Sequence, residues 1–201
     1  MNKAALFSTA GFGVASAGGY GIYSLSQRET LAPFLERINT KERVILEVST
    51  NTHDSVWQAI VEEYKRNGNI ESVPKTGEVL TSLKEYCKNS KSSTSSNPKE
   101  FEKYKNYCTR ENLITKLSQL NKTWNISEEK GNWAAAESTY KALKGNETGL
   151  LMPKAPNTTI AAASVKVEEI IDHCKEISSK PFINRDDSDY KRGEKLCLVN
   201  G

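Results

Sequence analysis

Apolar residues recur at helical spacing in two stretches that share a Trp and a Tyr. Trp57, Ile60, Val61 and Tyr64 fall at i, i+3, i+4 and i+7, which is one face of a helix. Trp133, Ala136 and Tyr140 repeat that face further along the chain. Asp54 is placed to cap the first helix and Asn67-Gly68 to stop it; Asn132 and Gly145 do the same for the second. A further helix is predicted over about 78–88, marked by Leu80, Leu83 and Cys87, and another over about 164–178, marked by Val167, Ile170, Ile171 and Cys174. Two short stretches lean towards β structure, near 44–48 and near 123–127, and are expected to pair with each other. The pattern predicts a mainly α body with at most short β pieces.

The same ingredients occur twice in one order, which points to two tandem copies of a helical motif. Copy one runs over about 31–108 and copy two over about 113–197. Each opens with an apolar pair ending in Asn, Leu35-x-x-Ile38-Asn39 and then Leu117-x-x-Leu120-Asn121. The short β-leaning piece, the Trp-x6-Tyr helix and the helix ending in Cys87 or Cys174 follow. Each closes on a Tyr followed by a Cys, Tyr104 to Cys108 and Tyr190 to Cys197. Trp57, Tyr64, Trp133 and Tyr140 are the expected centre of the repeated core. The copies meet near Thr109 to Asn112 without a linker, so one shared core is expected. The Ser-rich stretch 89–98 reads as a flexible loop, and residues 145–163, with Pro153 and Pro156, as a connection within copy two.

Ahead of the body, residues 4–25 carry no charge; Lys3 precedes them and Arg28-Glu29 follow. Twenty-two helical residues reach about 33 Å, enough for a hydrocarbon core of about 30 Å. This reads as an anchor over 1–27 with the body, 28–201, outside the membrane, because Lys3 and the α-amino group favour the cytoplasmic side. A cleaved signal peptide ending at Ala15-Ser16-Ala17 is the competing reading. Both export the body. Gly11, Ala15 and Gly19 form a small-residue stripe through which such a helix could self-associate, as do Gly13, Ala17 and Gly21.

Leu, Ile, Val and Phe make up 42 of 201 residues, a thin supply for a core, and four cysteines offer reinforcement. Four cysteines allow three pairings. The repeat selects Cys87 with Cys108 and Cys174 with Cys197, each joining a helix end to a Tyr-containing segment beyond a loop. Free thiols are the main alternative; zinc is a poor one, with no CxxC and only His53 and His173 to help.

A formal charge of +3 gives no basis for nucleic-acid binding. No GxSxG, HExxH, phosphate-binding loop or dinucleotide-binding glycine pattern occurs, and nothing calls for a cofactor. His53-Asp54 and Asp172-His173 resemble acid–base dyads only in print, since sequence neighbours do not make triad geometry. His53 reads as a loop residue before a helix, His173 as a partly exposed position matching Tyr86. Trp57 and Trp133 lie on apolar faces and read as core rather than as stacking platforms; Trp124 is the third tryptophan. Asp186-Asp187-Ser188-Asp189 lacks the loop glycine and terminal Glu of a calcium loop and reads as a turn. Glycosylation sequons stand at Asn121, Asn125, Asn146 and Asn157.

The opening MNKAALFSTAGFGVASAGGYGIY, with VWQAIVEEYK, LKEYC and FEKYKNYC, resembles the short paralogous membrane-anchored proteins encoded in large arrays by haemotropic mycoplasmas. That family often has Trp directly before the cysteine; here Tyr86, Tyr107, His173 and Leu196 take the place. The resemblance implies surface display and antigenic variation, and supplies no catalytic residue. The expectation is therefore a non-enzymatic surface protein, in contact with a host or partner or serving as an antigenic coat. Its rivals are a structural subunit of a membrane assembly and a membrane-tethered hydrolase.

Overall fold

The computed structural model describes residues 31–199, and Leu31 onward belongs to one compact unit. The expected anchor at 4–25, its stripe Gly11, Ala15, Gly19 and the cleavage motif at 15–17 lie outside the described residues. Among those described, no helix is long and apolar enough to cross a membrane. The body is mainly helical. Its elements are β1 (Arg43–Ile45), α1 (Asp54–Asn67), α2 (Val79–Ser90), α3 (Pro98–Cys108), β2 (Thr109–Glu111), α4 (Leu113–Ser118), α5 (Ala134–Lys141), β3 (Pro153–Ala155), β4 (Thr158–Thr159), α6 (Val167–Ser178) and α7 (Ser188–Leu196).

Several local expectations change. The segments ending in Cys108 and Cys197 are themselves helices, α3 and α7. Asn97 caps α3 by accepting from the Lys99 N–H, with Pro98 in the first turn; Asp187 caps α7 by accepting from the Tyr190 N–H. Asp54 is the first residue of α1 rather than its cap. Asn132 sits in a 3₁₀ turn (Lys130–Trp133) that leads into α5. Gly68 ends α1 without a left-handed backbone. It is needed for space, since a Cβ there would lie 2.3 Å from the Tyr64 ring. The Ser-rich stretch is tied down: Phe34 N–H donates to Ser93 O, Leu35 N–H to Lys91 O and Arg37 to Ser95 O.

Two cores form, not one shared core. The first gathers Phe34, Ile38, Leu46, Trp57, Ile60, Tyr64, Leu83 and Tyr104 with Cys87 and Cys108. The second gathers Leu113, Leu117, Trp124, Trp133, Tyr140, Ile170, Ile177 and Tyr190 with Cys174 and Cys197. The reason is the polarity of the junction. Arg43, Thr109, Arg110 and Asn112 are all buried there. Arg110 grips the Glu63 carboxylate with two bonds of 2.8 and 2.7 Å and reaches Phe182 O and Ile183 O. Arg43 donates to Thr109, Glu111 and Lys105 O. The junction strand β2 pairs with β1 on one side, antiparallel, with Ile45 opposite Thr109. Asn112 N–H continues the β1 side by donating to Glu42 O, and on the other side Phe182 N–H donates to Glu111 O and Leu113 N–H to Lys180 O. A fully bonded polar seam cannot be replaced by apolar packing without orphaning its groups.

The two β-leaning stretches do not pair with each other. β1 pairs with β2, and Trp124 bridges Leu198. Leu46 N–H donates to Cys108 O, and Asn125 N–H donates to Cys197 O. Each stretch thus pairs with the residues after the second cysteine of its own half. The same bonds set the register between halves. Ile38 matches Leu117 and Ile45 matches Trp124, so the opening Leu35 with Leu117 alignment is displaced by three positions. Counting back along the helices from Cys108 and Cys197, Tyr104 matches Gly193, not Tyr190. A Cβ on Gly193 would meet the Trp124 ring at 3.1 Å. The halves therefore trade bulk: Ile45 with Tyr104 in one, Trp124 with Gly193 in the other.

That exchange predicts a coupled pair. Trp124→Ile alone leaves a void and Gly193→Tyr alone overpacks, each costing about 2 kcal/mol or more. The double variant should recover at least about 1 kcal/mol of the summed loss in a urea double-mutant cycle; strict additivity would refute the register.

Candidate functional site

Each half is organised around one Trp and one Tyr with a disulfide behind them. Trp57 and Trp133 are enclosed, and each indole N–H donates to a backbone carbonyl at 2.8 Å: Glu47 O in the first half, Ser127 O in the second. The Tyr64 hydroxyl accepts from Ile70 N–H and lies 2.9 Å from Val73 O. The Tyr140 hydroxyl accepts from Met152 N–H and donates to Ile160 O at 2.7 Å. Both hydroxyls thus hold the chain that follows the Trp helix, and burial raises the Tyr140 pKa. Cys87 is bonded to Cys108 and Cys174 to Cys197, with Cα separations of 5.3 and 5.5 Å. Each bond ties the helix before a loop to the helix after it. The expected site residues therefore form two enclosed structural cores, one in each half, rather than one site open to solvent.

The groups that could do chemistry lie elsewhere. A cleft of about 310 Å³ between the halves brings His53, Ser55 and Thr52 together with Lys180, Asp187 and Asp189. An imidazole, two hydroxyls and two carboxylates in one cleft are the raw material of a hydrolase. Their bonding argues against that use. His53 Nδ1 accepts the Glu47 N–H at 2.9 Å. Its pKa is lowered, mainly by burial and against the opposing pull of Glu47, so the ring is neutral and Nε2 carries its proton. No lone pair remains to take a proton from Ser55 or Thr52. Asp187 is committed to the α7 cap, and Asp189 to Lys180 and Arg192. Burial raises the Asp189 pKa, and the two cations outweigh it, so the net shift is downward. Asp186-Asp187-Ser188-Asp189 is accordingly a helix start and an ion-pair anchor. No group of three or more His, Cys, Asp and Glu suited to a metal occurs among the described residues. A larger cavity of about 570 Å³ along α7 is walled by charges already paired, Lys195 with Glu147 and Lys191 with Asp186.

His173 is buried, not partly exposed as expected from its match to Tyr86. Its Nε2 and the Arg192 Nε are both buried without a hydrogen-bond partner among the described residues. Asn125, in one of the sequons, is also buried; it donates to Asn132 O and accepts from Ser127 N–H. Asn157, in another, is exposed at the β3–β4 turn with φ +65°. Helical periodicity alone hid His173, because His and Tyr both read as half-polar.

No protein-family model, no curated protein and no solved structure matches this chain.

Burial, with Arg192 adding to it, pulls the His173 pKa down to about 4. As pH falls from 6.5, the unfolded chain takes up this proton first. The stability present above pH 6.5 should therefore decline until about pH 4, by about 3 kcal/mol at most. His173→Gln should flatten the urea midpoint across that window relative to the parent; an unchanged decline would rule out His173 as its source.

Proposed function

We propose that the chain is a membrane-anchored surface protein whose body, residues 28–201, works by contact rather than by catalysis, with a host or partner protein or as an antigenic coat. Its place is with the short anchored paralogues of haemotropic mycoplasmas that its opening and its cysteine motifs resemble. The observation that carries the reading is the pair of disulfides, each closing one half within itself. Such bonds persist in oxidising surroundings and are rare where thiol buffers operate. The uncharged run at 4–25 is the device that would bring the body there, held in the membrane with its C-terminal part outside, and Gly11, Ala15 and Gly19 would let anchors associate.

The polar surface of the body fits a contact role. Long-range ion pairs such as Lys122 with Glu194 and Lys130 with Glu168 pin segments while remaining exposed, where substitution costs little. An antigenic coat needs that combination of a locked interior and a tolerant exterior.

Protease added to intact cells that make the protein, followed by detection of a C-terminal epitope, tests the placement. The epitope should disappear before lysis while a cytosolic marker survives. An epitope protected until lysis would remove the export premise.

A further inference from the structure

The two halves differ along the outer face of the helix that carries the first cysteine of each bond. In the first half, Lys84, Lys88 and Lys91 fall at i, i+4 and i+7 from α2 to its C-cap, a row of about 10 Å. Two adjoining cavities, of about 240 and 460 Å³, run along this row and share Val48, Ser49, Lys88 and Lys91. The inner cavity is floored by Leu46, Tyr104 and the Cys87–Cys108 bond, with exposed Leu35 at its edge. Lys84 lies over the Trp57 ring and 3.7 Å from Asp54. Lys88 and Lys91 have no carboxylate partner among the described residues. The backbone N–H and C=O groups of Val48 and Ser49 likewise bond to nothing among them.

The second half has this position filled. Lys175 follows Cys174 as Lys88 follows Cys87, and it pairs with Glu128 at 3.0 Å. The two indoles donate to Glu47 O and Ser127 O, which sets Ser127 at the position of Glu47 and Glu128 at that of Val48, next to Ser49. Ser127 and Glu47 both have their N–H taken by a side chain, of Asn125 and of His53. Where the second half supplies its own carboxylate to Lys175, the first half presents two lysines without one, open main chain and an apolar hollow.

We infer that this groove docks an extended acidic peptide of a partner protein, with Lys88 and Lys91 taking carboxylates and the hollow over Leu46 and Tyr104 taking one apolar side chain. The inference names the partner chemistry for the contact role proposed above, and rests on it. Lys88 and Lys91 stand about 4.5 Å apart along the helix, and their long side chains can spread to same-side residues of an extended chain, about 7 Å apart, while its main chain pairs with Val48 and Ser49. A uniformly charged polyanion suits the groove less well, because Glu47 and Glu85 also line it.

The test uses the full chain in mild detergent and a fluorescent eight-residue peptide of alternating glutamates with one central isoleucine, read by anisotropy. Saturable binding should weaken as salt rises. It should fall at least tenfold in Lys88→Glu/Lys91→Glu and also in Ser49→Glu, which sets a carboxylate in the groove beside the two lysines. Lys175→Glu, on the other half, should leave it unchanged. Intact disulfides and an unchanged circular dichroism spectrum show that each variant is folded. No binding by the parent chain, or equal binding by the groove variants, overturns the proposal. So does a sulfated oligosaccharide or an anionic phosphatidylserine vesicle that outcompetes the peptide with the same variant pattern. Binding by the purified chain is independent of where cells place it, so this result and the protease result can fail separately.

Discussion

The body depends on a covalent closure that its apolar residues could not replace. Each half packs one small core between three or four short helices, and the last helix of each set lies beyond a loop. Without the bond, that helix would be held by Phe101, Tyr104 and Tyr107 in the first half, or by Tyr190, Leu196 and the Arg192 bonds in the second. Cross-linking residues 21 or 23 apart removes about 3 kcal/mol of chain entropy from the unfolded state. That is a large share of the stability of a domain this size. The bond also fixes the strand pairing next to it, since Cys108 O and Cys197 O accept the bonds from Leu46 and Asn125 that set the register.

The second organising feature is the seam. β2 is the stretch of chain that joins the halves, and it is bonded on both sides, to β1 and to residues 180–183. Its side chains continue the same logic, with Arg110 reaching from Glu63 in the first half to Phe182 O and Ile183 O in the second. Glu111 shows the electrostatic consequence. Burial pushes its carboxyl up, but Arg43 and the surrounding hydrogen bonds outweigh that, and its pKa ends below the usual range. A buried guanidinium tolerates few other partners, so the seam defines orientation where two greasy faces would not. This is why the halves keep separate cores while remaining one unit.

Much of this was legible in the residues. The Trp57 and Tyr64 face, its repeat at Trp133 and Tyr140, and the Cys87 and Cys174 helices follow from helical spacing, and the pairing of the cysteines follows from their order. What was not legible depends on contacts across the chain. Val44 and Trp124 advertise β preference but not a neighbour, so the sequence does not name their strand partners. Tyr104 and Tyr190 do not correspond, because bulk can sit on either side of a contact, on Tyr104 in one half and on Trp124 in the other. The helices ending in Cys108 and Cys197 are mostly polar, so their apolar signal is weak. The His53 cleft combines loop residues of one half with the start of α7 in the other, which no local pattern links.

The central claim is that oxidised sulphurs close each half upon itself. Thiols blocked at the moment of cell lysis, followed by proteolysis and mass mapping without reductant, test it on the protein as cells make it. The account predicts no blocked thiol and two linked peptide pairs, Cys87 with Cys108 and Cys174 with Cys197. Four blocked cysteines, or a link from either of the first two to either of the last two, would contradict it.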